Sequence, residues 1–139
     1  MTMLHSASPM LIIASGLALV VMTGNIDVSI GSITFVTAAL GSVLMVRHGV
    51  SPLIAIIIVI LTGAACGALN GFIVSILRVN SFIATLGMLF AYRGIALLLT
   101  KARVISVPEK LTAVGHVSIG PVFIDTIISL AFVLFIYLL

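Results

Sequence analysis

Asp27 is the side chain in this sequence best placed to do chemistry. It sits in Gly24-Asn25-Ile26-Asp27-Val28-Ser29-Ile30-Gly31-Ser32, a polar stretch flanked by glycines, and neither residues 6–26 before it nor residues 28–46 after it carry another charge. A carboxylate that deep in apolar sequence costs about 2.5 to 3.5 kcal/mol to place in a bilayer, so it must be capped, partnered or wet. As a cap it would start a helix at Val28 by accepting the orphan amide hydrogen of Ser29 or Ile30. The flanking glycines permit backbone that a continuous helix would not. The stretch therefore predicts a broken membrane helix at residues 24–32, the kind of element that survives only where it is buried in protein or lines a water-filled cavity.

Other chemistries find no residues. No nucleophile is paired with a base, no two carboxylates lie together, and no phosphate-binding loop is present, so the chain does not read as an enzyme. Cys66 is the sole cysteine and lies in an apolar run, where it packs. His5, His48 and His116 fall in separate segments, so neither a metal nor a cofactor site is expected.

With 63% hydrophobic residues, 6% charged residues and a mean hydropathy of +1.49, the chain has too little polar surface to cover a soluble globule. It predicts an all-α, polytopic membrane protein of about five transmembrane or half-membrane helices at roughly 20 residues per span, with no extramembrane domain. The net charge of +3 comes from basic residues scattered singly, which suits orientation in a membrane and offers nucleic acid no continuous patch. The N-terminus lacks the pattern of a cleaved signal peptide, so its hydrophobic run is expected to stay in the product.

In chain order, Pro9 is expected to open the first helix, and the apolar run Met10–Thr23 is about 21 Å long, short of a full crossing. A second helix runs from Val28 to Val46 and stops at Arg47-His48-Gly49. Ser51 and Pro52 open the longest apolar run, to Leu77, in which Gly63, Gly67 and Gly71 form a small-residue stripe for close helix packing. Asn70 beside that stripe either bonds another helix or lines a path. Asn80 or Ser81 caps a helix from Phe82 to about Thr100 that carries Thr85 and Arg93. Arg93 either snorkels or pairs structurally, with Asp27 the obvious candidate partner, or else it lies on a transport path. Residues 101–120 form a loop with a short extended piece at Val117-Ser118-Ile119. A last apolar run, Pro121–Leu139, has Asp125 near its start. No polar exit follows Leu139, so the ending reads as a truncation. If each segment after residue 28 spans once, Arg47 and the 101–120 loop share one face, and Arg78 takes the other.

The stretch through Ser32 resembles the Gly-Gly-Ile-Asp-Leu-Ser-Val-Gly-Ser signature of the membrane permeases of ribose-type ATP-binding-cassette importers. A second block agrees in order and spacing: Gly67-Ala68-Leu69-Asn70-Gly71, then Arg78 through Gly87, then Arg93-Gly94 and the helix end at Leu97–Thr100. Asn25 departs from the pattern where a second glycine is usual, and Asn80-Ser81 lacks a proline many relatives have. The resemblance implies a multi-pass subunit of the bacterial plasma (inner) membrane that imports a sugar or sugar-like solute. Its implied partners are a second permease subunit, an extracytoplasmic solute-binding protein and ATPase subunits that hydrolyse the ATP. It also implies that residues 1–139 are one permease domain, partial, without the C-terminal half and the coupling segment that docks on the ATPase.

Within that frame Asp27, Ser29, Ser32, Asn70 and Thr85 are expected to serve a solute path or the hinge that opens it. The plainer reading is that Asp27 is a helix cap that fixes the fold. Two other functions stay open: a small ion-coupled carrier that uses Asp27 as its coupling acid, and a non-functional permease remnant.

Overall fold

The computed structural model describes residues 2–106, 118–119, 122–123, 131, 133 and 134. The chain divides into two compact units, residues 25–107 and residues 1–24 with 108–139.

In the second of these, helix α1 spans Thr2–Met22. Pro9 lies inside α1 instead of opening it, a correction to the sequence reading. The proline removes one ladder donor there, but the polar lead before it is helical all the same. The apolar part, Pro9–Met22, is as short as the sequence implies. The helix closes where the Gly24 amide donates to the Val21 carbonyl (2.9 Å) at a left-handed φ of 77° that suits glycine. Residues Ser118–Ile119 (β1) and Val122–Phe123 (β2) form a two-residue antiparallel pair, so part of the expected extended piece is present. Asp125, Glu109 and His116 lie outside the described residues, as does most of the last apolar run, of which residues 131, 133 and 134 are helical.

The unit of residues 25–107 is three long helices: α2 (Ile30–His48), α3 (Pro52–Ser75) and α4 (Ser81–Thr100). All three are long and apolar enough to cross a membrane, with mean hydropathies of 1.6, 2.5 and 1.9. The protein is a polytopic, helical membrane protein. Local signals set the helix ends. Gly49 takes a left-handed φ of 63° and Val50 donates back to the Leu44 carbonyl (3.1 Å), closing α2 after Arg47 and His48. Pro52 occupies the first turn of α3, where its missing N–H costs nothing. The Asn80 carbonyl oxygen accepts from the amides of Phe82 (3.0 Å) and Ile83 (3.4 Å), capping α4.

Helix α2 packs on both neighbours, most extensively on α4. Gly41 faces Val59 and Gly63 faces Thr37, which sets α2 and α3 antiparallel. Contacts between residues 28 and 85 at one end and 47 and 100 at the other set α2 and α4 parallel. Arg47 therefore shares an end with Thr100, as successive crossings require. Its guanidinium donates to the carbonyls of Leu99 (2.9 Å) and Thr100 (3.0 Å) in the last turn of α4, of which Thr100 also accepts from the Arg103 amide (3.3 Å). Val36, Ala39, Tyr92 and Ala96 form the core. By contrast α3 buries only Ala55 and Asn70, and Leu53, Ile60 and Leu61 are 71%, 64% and 63% exposed, a face suited to lipid.

Candidate functional site: a side-chain knot at the broken helix

Helix α1 ends at Met22 and α2 begins at Ile30, so the break falls where the sequence places it. The expected start of α2 at Val28 is two residues early. The Asp27 carboxylate accepts both the Ser29 amide (2.8 Å) and the Ser29 hydroxyl (2.7 Å), and this local turn holds residues 27–29 out of the helix. The ladder then starts from the Ser29 carbonyl, which accepts from Ser32 (2.8 Å) and Ile33 (2.9 Å).

Three amides of the break have no ladder partner, and side chains take them. Ile26 N–H donates to Ser81 Oγ (3.2 Å), Val28 N–H to Thr85 Oγ1 (3.3 Å), and Ser29 N–H to Asp27. Thr85 in turn donates to the Ser81 carbonyl (2.8 Å) in its own helix. The first turns of α4 thus supply what a regular helix would have supplied from within. That is what lets irregular backbone persist among apolar residues.

Asn70, 5% exposed, ties α3 into the knot. Its amide nitrogen donates to the fully buried Ser29 hydroxyl (2.7 Å) and lies 3.5 Å from the second carboxylate oxygen of Asp27. Its carbonyl oxygen accepts from the Tyr92 hydroxyl (3.1 Å), which is also 3.0 Å from the Cys66 carbonyl. Tyr92 thereby fixes which way the Asn70 amide points: nitrogen toward the acid, oxygen toward α4. One Asp27 oxygen carries two good bonds and the other only the long contact to Asn70. That second oxygen is the acceptor with capacity to spare.

Asp27, Ser29, Asn70 and Thr85 therefore meet in one place. Ser32 does not join them. One turn into α2, it lines a cavity of about 390 Å³ together with Val28, Gly31, Phe35, Leu89 and Arg93. Among the described residues Arg93 forms no ion pair with Asp27. Of the glycine stripe, Gly63 lies against the Thr37 methyl (3.7 Å from where a Cβ would stand), while Gly67 and Gly71 have nothing within 4 Å. The tightest approach is at Gly41, where a Cβ would meet Val59 at 2.9 Å. Among the described residues no group of three His, Cys, Asp or Glu could hold a metal.

Tyr92 belongs to this arrangement and was not picked out from the sequence, and Ser81 was read there only as a possible helix cap. The signal for Tyr92 was available: a tyrosine hydroxyl inside a span must find a partner, and Asn70 was the polar side chain in need of one.

The whole chain, residues 1–139, matches the family described as branched-chain amino acid transport system / permease component. It is 44% identical over 101 residues to the autoinducer 2 import system permease protein LsrC of Escherichia coli O157:H7, covering 72% of this chain and 29% of that protein. It is 38% identical over 99 residues to the fructose import permease protein FruF of Bifidobacterium longum, covering 71% and 28%. It is 35% identical over 103 residues to the galactofuranose transporter permease protein YtfT of Escherichia coli K12, covering 74% and 30%. The matched region is thus less than a third of each curated relative's length. No solved structure matches significantly. The knot carries the residues of the signature stretch, the match runs the full chain, and this protein belongs to the family of membrane permease components of transport systems.

Proposed function

We propose that this chain contributes to the translocation path of an ATP-driven importer for a sugar or sugar-like solute in the bacterial plasma membrane, and that residues 1–139 are part of one permease domain. In this reading a second permease subunit completes the path, a solute-binding protein delivers the solute, and ATP hydrolysis belongs to a separate subunit. The relatives suggest the solute class, since fructose, galactofuranose and autoinducer 2 are what those proteins are named for.

The observation that carries the reading is the break held by side chains. The bonds from Ile26 and Val28 to Ser81 and Thr85, at 3.2 and 3.3 Å, are longer than those that join Ser29 to Asp27 and Asn70, at 2.7 and 2.8 Å. The segment can therefore part from α4 at modest cost, about 1 kcal/mol per bond, while the acid stays seated. Bending of this kind is what alternating access needs, and the spare acceptor on Asp27 suits a solute hydroxyl.

The test is co-expression with the neighbouring gene products, detergent pull-down and solute uptake into vesicles. A complex containing an ATPase, with ATP-dependent uptake that is lost in Thr85→Val, supports the proposal. Failure to recruit an ATPase under conditions where the chain is folded overturns it. An ATP-independent, pH-dependent flux abolished by Asp27→Asn would favour an ion-coupled carrier instead.

A further inference from the structure

The cavity beside Ser32 is chemically unlike the rest of the unit. In the three long helices, Thr34, Thr37, Ser42, Thr62 and Thr100 each donate their hydroxyl to a carbonyl three or four residues back. Ser32, 7% exposed, does not: among the described residues its hydroxyl makes no hydrogen bond. A buried hydroxyl left in that state costs about 1 to 3 kcal/mol, unless something in the cavity takes it. Arg93 lines the same cavity, and among the described residues its guanidinium has neither hydrogen bond nor ion pair. Gly31 leaves its wall open, with nothing within 4 Å of an added Cβ, and Phe35 and Leu89 supply apolar surface.

We propose that this cavity of about 390 Å³ is a water-filled, positively charged subsite that holds a small solute through two adjacent oxygen atoms, a vicinal diol or an oxyanion. The guanidinium presents five donors in a flat fork that matches paired oxygens, and Ser32 adds a donor that can also accept. The volume falls in the range of small-molecule sites, and an apolar wall with a few convergent polar groups is their usual composition. The donor set favours an acceptor-rich guest over a hydrocarbon chain, which would leave both polar groups unpaired. The inference rests on reading the chain as part of a solute path, but it locates the solute at Arg93 and Ser32, one turn along from the Asp27 knot.

The test uses the full chain in lipid nanodiscs. Ser32→Cys in a Cys66→Ala background is labelled with an anionic (sulfonatoethyl) and a cationic (trimethylammonioethyl) methanethiosulfonate, both water-soluble. Gly31→Cys reads the same cavity should the first variant fail to fold. Leu98→Cys, on an apolar face 79% exposed, is the control expected not to react. A single charge on the order of 6 Å away in water changes each rate about threefold, so with each rate divided by that of the same reagent with a free small thiol the anionic reagent should lead by about tenfold. Adding Arg93→Gln should bring the ratio to about one. Inorganic phosphate or D-fructose at tens of millimolar should slow labelling, and whichever protects identifies the guest as oxyanion or diol. No reaction at either cavity cysteine, no preference for the anionic reagent, or no protection by either probe overturns the proposal. Labelling needs neither ATPase nor binding protein, so its failure is distinguishable from failure to form an importer complex.

Discussion

Replacing Asn70 by Leu keeps the four-atom branched skeleton and removes the amide that links three helices. It deletes the bond to Ser29 Oγ (2.7 Å), the bond from Tyr92 (3.1 Å) and the long contact to Asp27 (3.5 Å). Two of the three partners keep another bond, however, and the Asp27 oxygen loses only a long contact. Ser29 still donates to Asp27 (2.7 Å) and Tyr92 still reaches the Cys66 carbonyl (3.0 Å). The loss is then of two ordinary bonds, and at about 0.6 to 1 kcal/mol each inside a membrane the total is about 1 to 2 kcal/mol, well below the cost of an orphaned buried group. Tyr92→Phe alone removes one shared hydroxyl and should cost about 1 kcal/mol. Because both substitutions delete the same Tyr92–Asn70 bond, the double variant should fall short of additivity by roughly 0.6 to 1.5 kcal/mol. The assay is reversible unfolding in mixed micelles of rising denaturing detergent, run on the four proteins of the cycle. A coupling energy below about 0.3 kcal/mol, within the usual additivity error, would refute the claim that Tyr92 orients the Asn70 amide.

Gly41→Ala should destabilise the unit by about 1 to 3 kcal/mol, because the new methyl meets a stiff β-branched neighbour at 2.9 Å, and Val59→Ala should recover part of that loss in the same unfolding assay. Thr85→Val removes the partner of the Val28 amide, so hydrogen exchange at Val28 should quicken about tenfold, with exchange through α3 unchanged. Arg47→Met removes the guanidinium bonds to the Leu99 and Thr100 carbonyls, of which Thr100 keeps the Arg103 amide, and should lower stability by about 1 to 2 kcal/mol, whereas Arg47→Lys should recover only part because a lysine cannot take both carbonyls in one flat fork.

The features legible in the sequence are those whose contacts are short in sequence. Asp27 taking the Ser29 amide, Asn80 capping α4, Pro52 opening α3 and Gly49 closing α2 all need only a few residues, and turn chemistry fixes them. Even there, the start of α2 was misplaced because a helix cap and an Asx turn use the same side-chain bond, and only the Ser29 hydroxyl, by adding a second bond to the same oxygen, tips residues 27–29 out of the helix. Pro9 misled for the converse reason: a proline is favoured in a first turn, yet one lost bond does not stop a helix with turns on both sides.

The contacts that span 22 to 57 residues were not legible, because they depend on how helices are rotated against each other. The glycine stripe illustrates this. At 3.6 residues per turn, each step of four residues overshoots a full turn by about 40°, so a face that touches α2 at Gly63 has turned about 80° away by Gly71. Spacing alone showed a smooth edge on α3; rotation decided that its contact with α2 falls at Gly63 and Val59, and that Asn70, between two open glycines, points inward. The same rotation separates Ser32 from Ser29. Three residues along a helix advance about 300°, which carries Ser32 off the α3 side and into the cavity beside Arg93. A signature stretch that reads as one polar cluster is thus divided between two tasks. Asp27 and Ser29 close the break on the side of Asn70, and Ser32 faces a separate space on the side of Arg93, so substitutions at Ser29 should act on stability and those at Ser32 on what the cavity admits.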